Sequence, residues 1–85
     1  MMTDMEQEIA TFFRNFALRI FALEHVDPHD PHHVKMALLN HYEEIYPAFT
    51  LTVSFQKYAH TVDEPRMIEA YKHNFSLLLM GKLPE

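Results

Sequence analysis

One glycine and five prolines leave this 85-residue chain few places to turn, and their positions divide it almost unaided. Pro28 and Pro31 stand close together, Pro47 and Pro65 interrupt the second half, and Gly81 lies near the end. A residue before proline is pushed out of the α region, and a proline within a helix removes a hydrogen bond, so each marks a boundary. The stretches between them carry apolar side chains at helical spacing.

Thr3 followed by Glu6 is a capping-box signature, and Met5, Ile9, Phe12, Phe13, Phe16, Ile20 and Leu23 then recur along one wide stripe. A first helix is therefore expected from about Asp4 to about His25. Gln7, Glu8, Thr11 and Asn15 form its polar back, where Leu18 and Ala22 are out of place. Chance exposure and a second, intermolecular contact explain those two equally well. Asp27-Pro28 should end this helix, and Asp30-Pro31 should start the next, with Asp30 capping free amides and Pro31 in the first turn. That second helix is expected to reach about Tyr46, with Val34, Leu38, Tyr42 and Ile45 inward. A last helix runs from Pro65 to Met80, capped by Asp63 or Glu64 and stopped by Gly81, with Met67, Ile68, Tyr71, Phe75, Leu78 and Leu79 on one face.

The segment 47–62 fits two patterns. Leu51, Thr52, Phe55, Tyr58, Ala59 and Val62 suit a helix, whereas Phe49, Leu51, Val53 and Phe55 alternate as in a strand. Helix is preferred, because a lone strand would have no partner but another copy of itself. The expected fold class is all-α: one domain over 1–85, a three- or four-helix up-down bundle with short connections.

A chain this short has a small core, and with no cysteine it has no disulfide or zinc–thiolate staple. Yet 48% of its residues are hydrophobic, with seven Phe, four Tyr and six Met. Apolar surface left over after folding calls for association, and a homodimer is expected. The formal charge of −5 and the absence of any Lys/Arg run argue against direct nucleic-acid binding. No apolar run approaches the ~20 residues of a membrane span, and the acidic start MMTDMEQE is unlike a secretory leader. These features fit a soluble protein of the reducing cytoplasm.

Chemistry is sparse. The stretch DPHDPHH, Asp27 to His33, gathers His29, His32 and His33 beside two carboxylates, with His25 just before it. His29 and His33 are four apart, a spacing that aims two imidazoles at one ion on a helix, but Pro31 should leave His29 outside that helix. The stretch is therefore read as a turn and cap, with no metal or other cofactor assigned. Protonating all seven histidines would move the formal charge from −5 to +2. His41 is the sharpest candidate for a proton switch, since it falls in the apolar sector of the second helix. Burial there would favour its neutral form and make acid destabilising; a histidine hydrogen-bonded at the core's edge is the plainer reading. Glu43-Glu44 and Asp63-Glu64 make no convergent dyad, and no phosphate loop, serine elbow or cysteine nucleophile is present, so no catalytic residue is expected.

Tyrosine is favoured where one end of a side chain is buried and the other is wet. Tyr42, Tyr46, Phe49 and Tyr58, with Glu43 and Glu44, are candidates for an acidic aromatic patch that docks a basic partner; the alternative is that they are core and core rim. The Tyr46-Pro47 step behind acidic residues resembles colicin-type nuclease immunity proteins over those few residues alone, and no site is carried over from that likeness. The expected function is a non-catalytic protein-binding regulator or inhibitor of microbial or phage type. A histidine-based metal- or pH-responsive module is the alternative.

Overall fold

A computed structural model describes residues 2–83 and contains five helices and no strand among them. These are α1 (Asp4–Glu24), α2 (Pro31–Asn40), α3 (Tyr42–Thr50), α4 (Val53–Tyr58) and α5 (Glu64–Leu79). Segment 47–62 is helical in class, as preferred, but is divided between the end of α3 and the short α4, with Leu51 and Val62 exposed outside them; the expected three or four helices become five because the second breaks at His41.

The helix ends follow local chemistry. At α1 the Thr3 hydroxyl accepts from the Glu6 amide at 3.2 Å while the Glu6 carboxylate accepts from the Thr3 amide at 3.2 Å, completing the capping box. The Thr3 amide and, at 2.9 Å, the Thr3 hydroxyl both donate to the Glu6 carboxylate and hold its carboxyl below the usual carboxylate range. Asp30 caps α2 by accepting from the His32 and His33 amides at 3.1 and 3.2 Å. Asp27 accepts from the His29 amide at 2.9 Å, closing the preceding turn. Helix α1 ends where expected, but not because of Asp27-Pro28: it stops at His25 in the left-handed region (φ 54), where the His25 and Val26 amides both donate to the Phe21 carbonyl. One cap expectation also needs correction. At α5, Asp63 holds the cap position but makes no side-chain cap bond, because its backbone is already helical and its carboxylate lies 3.9 Å from Arg66.

Gly81 ends α5 at φ +76. The Gly81 amide donates to Leu78 and the Lys82 amide to Leu77, both at 2.9 Å, a pair of bonds that closes the last turn. A Cβ at Gly81 would sit 3.3 Å from the Pro31 carbonyl oxygen, so the end of α5 abuts the start of α2. At the other end of α2, His41 meets Glu24, the last residue of α1. Helix α2 thus spans the C-terminal ends of α1 and α5. Thr3, Glu6 and Ala10 of the α1 end face Arg66, Ala70 and Asn74 of α5 across one cleft, so α1 and α5 run side by side in the same direction. Helices α3 and α4 return along the bundle to bring the chain back to the start of α5.

The core is one continuous cluster. Ile9, Phe13, Phe49 and Met67 are fully enclosed at its centre, with Val34, Leu38, Ile45 and Leu78 around them. Phe12, Phe13, Phe49, Phe55 and Tyr71 join α1, α3, α4 and α5 through ring contacts of 4.9–5.6 Å between centroids. Three residues expected inward are not: Leu23 is 67% exposed, Tyr42 50% and Leu79 38%. Leu23 lies in the last turn of α1, where burial passes to Phe21 and Val26 on another side. The break at His41 rotates Tyr42 out of line with Leu38. Leu79 ends its helix at the rim.

Candidate partner-binding site

The break at His41 also builds the most distinctive surface. Because α3 restarts at Tyr42, residues 42 and 46 share one outward face one turn apart, with Glu43 beside them. They line a groove of about 570 Å³ with Tyr71, Lys72, Phe75 and Ser76 of α5. Tyr71/Phe75 and Lys72/Ser76 are themselves i, i+4 pairs, so two helix faces supply all seven side chains. Tyr46 stands edge-on to Tyr71 at 5.6 Å and 89°, and Phe55 backs it at 6.4 Å and 87°. Tyr71 and Phe75 lie nearly parallel at 6.2 Å and 22°.

The rings are wedged from behind by core aromatics, yet Tyr42 and Tyr46 stay about half exposed. Burial, and after it the nearby Tyr46 phenol, push the Tyr71 hydroxyl up to about 12, so it stays a neutral donor across the biological range. The Tyr42 hydroxyl donates to the Glu43 carboxylate at 3.3 Å. The groove therefore offers ring faces, phenol hydroxyls, one carboxylate and one ammonium.

Of the residues expected in a docking patch, Tyr42, Glu43 and Tyr46 come together here. Glu44 sits on the same turn but points to His41. Phe49 is wholly enclosed and presents nothing to a partner. Tyr58 lies apart on α4, half-buried, donating to Glu8 of α1 at 3.0 Å with Lys57 over its ring at 5.2 Å. Tyr71, Lys72, Phe75 and Ser76 were missing from the sequence-based set, since periodicity assigns Tyr71 and Phe75 to the core face. The available signal was the doublet of aromatics at 71 and 75, too large to vanish beneath α3.

His41 occupies the junction itself. Its Nδ1 lies 2.5 Å from the Glu44 carboxylate and its Nε2 3.2 Å from the Glu24 carboxylate, with the side chain 18% exposed. The bond to Glu44 raises its pKa above the ordinary histidine value; partial burial opposes this, and the bond to Glu24 adds to it. The expectation that burial favours neutral His41 is thus reversed, because two acceptors outweigh the lost hydration. The plainer reading, a hydrogen-bonded histidine at the core's edge, describes its position.

The other histidines of the first half stand differently. His25, His29, His32 and His33 are all exposed, and Asp27 and Asp30 are committed to backbone amides. No group of three or more His, Asp or Glu side chains among the described residues is placed to hold a metal ion. A second cleft, about 580 Å³, lies between the first halves of α1 and α5, with Glu6, Arg66, Glu69, His73 and Asn74 among its lining. Buried Asn74 donates there to the Ala70 carbonyl at 2.8 Å, one turn back on its own helix. No described helix is long and apolar enough to cross a membrane. The chain matches no protein-family model, no curated protein and no solved structure.

Proposed function

We propose that this chain is a small non-catalytic protein-binding module, a regulator or inhibitor of microbial or phage type, that docks a basic partner on the α3–α5 groove. One observation carries the reading: Tyr42 and Tyr46, 50% and 47% exposed, stand with Glu43 over a firmly packed aromatic floor. Aromatic side chains held rigid at a surface lose little entropy on binding and supply large contact area, as interface anchors do. The Glu43 carboxylate and the overall charge of −5 favour a cationic partner and speed encounter with it.

Within this proposal the module acts in the cytoplasm as a homodimer. Exposed Leu18, Met36, Leu51, Val53, Val62 and Met80 supply the apolar surface for association. Light scattering at micromolar concentration should return twice the 10.1 kDa chain mass; a clean monomer removes the dimer and leaves the groove. The groove is tested by capture from the native host and recapture with variants whose helical signal is unchanged. Tyr46→Ala and Glu43→Lys should lose the captured protein while Val62→Ser keeps it. Retention by both groove variants overturns the reading.

A further inference from the structure

Neutral imidazole has one N–H and one bare nitrogen, so it can donate to one carboxylate only. His41 faces a carboxylate at each ring nitrogen, Glu44 at 2.5 Å and Glu24 at 3.2 Å, and only the doubly protonated ring satisfies both. The two acceptors come from different elements. Glu24 ends α1, Glu44 lies in the first turn of α3, and His41 is the hinge residue between α2 and α3. Those two carboxylates are the charged groups facing His41 from the helices packed around it; α2 contributes only the histidine itself.

We propose that His41 is a proton-operated latch: with two ring protons it ties the start of α3 to the end of α1, and loss of one proton slackens that turn and the groove wall it carries. Residues 42, 43 and 46 follow immediately, so the groove's α3 side takes its position from this junction. The claim that the latch regulates docking rests on the reading of the groove as a partner site. The latch itself does not.

The sign follows from linkage. A group held protonated in the fold contributes stability that is complete below its unfolded pKa, near 6.5, and is lost as pH rises through the higher folded value. Proton release leaves one of the two bonds without a donor. The affected carboxylate faces a bare nitrogen lone pair, which repels it.

Two measurements on the intact chain test this between pH 5.5 and 9. Ring-nitrogen NMR should show His41 still doubly protonated above the ordinary histidine value of about 6.5. Over the His41 titration, exchange protection of the Glu44 and Ile45 amides should fall about three- to tenfold, and in His41→Gln it should stay flat. Glu24→Gln, which keeps the residue's shape, should move the His41 titration to lower pH. A His41 that titrates at or below the ordinary histidine value, or protection at Glu44 and Ile45 that ignores its titration, overturns the latch. Hexa-arginine serves as the groove probe: its dissociation constant should rise about three- to tenfold across the same range in the wild type and not in His41→Gln. If protection follows His41 while hexa-arginine binds identically with Tyr46→Ala, the docking reading fails and the latch stands. If hexa-arginine binds through Tyr46 with no pH dependence while protection follows His41, control of docking by the latch is overturned.

Discussion

Phe16 and Leu23 show how far a single residue can be read from its place in a pattern. Both belong to the same stripe of α1, about two turns apart, yet Phe16 is 4% exposed and Leu23 67%. Phe16→Ala should cost ~3–5 kcal/mol, since an enclosed ring leaves a cavity that its neighbours fill only in part. Leu23→Ala should change stability by no more than ~0.5 kcal/mol. Urea unfolding of the two variants separates them, and equal losses would mean that Leu23 is covered in solution. The stripe was legible because helical period depends on neighbours in sequence. Its limit was not, because where the covering helices end depends on residues far along the chain. His41 makes the same point in electrostatics. Its apolar sector was visible, while the carboxylates that reverse its preference belong to another helix and to a turn created by the break.

Helix ends were the most legible elements, because caps are contacts over two or three residues. Thr3/Glu6, Asp30-Pro31 and Gly81 all act where the sequence placed them. The exception among starts, Asp63, is pre-empted by a helical backbone before the cap can form. Pro47 was read as a stop but lies inside α3. Both Pro47 and Glu43, whose carbonyl loses its partner, are exposed, so water can take the missing bond. The break came six residues earlier instead. For DPHDPHH the cap makes a sharp prediction: Asp30→Ala should cost ~0.5–2 kcal/mol, because two amides of α2 lose their acceptor. Changing His29, His32 and His33 together to Gln should leave the melting temperature nearly unmoved, with or without chelator. Greater damage from the triple histidine variant would restore the ligand reading of that stretch.

At the scale of the whole molecule, 39 × 26 × 15 Å, the aromatic cluster ties α1, α3, α4 and α5 into one body, and Val34, Ala37 and Leu38 add α2 to the same core. Its most informative reporter is Tyr71, which touches Phe13 of α1, Tyr46 and Phe49 of α3 and Phe75 of its own helix. Ultraviolet titration should show a tyrosine step near pH 12 that Tyr71→Phe abolishes. The raised value means that its contribution to stability is complete below pH ~10 and drains away as pH climbs through 12. Loss of absorbance from the ordinary step at pH ~10 instead would place Tyr71 in water. The all-helical class was legible from periodicity; the groove was not, because it needs two faces that meet only after the chain has folded back. The shared direction of α1 and α5 has an electrical consequence. Two parallel helices add their dipoles, gathering partial negative charge at the end that α2 spans. Five of the seven histidines, His25, His29, His32, His33 and His41, belong to that same end. Acidification therefore does not charge this protein evenly. It adds positive charge at one pole, where the carbonyl ends of the two helices meet.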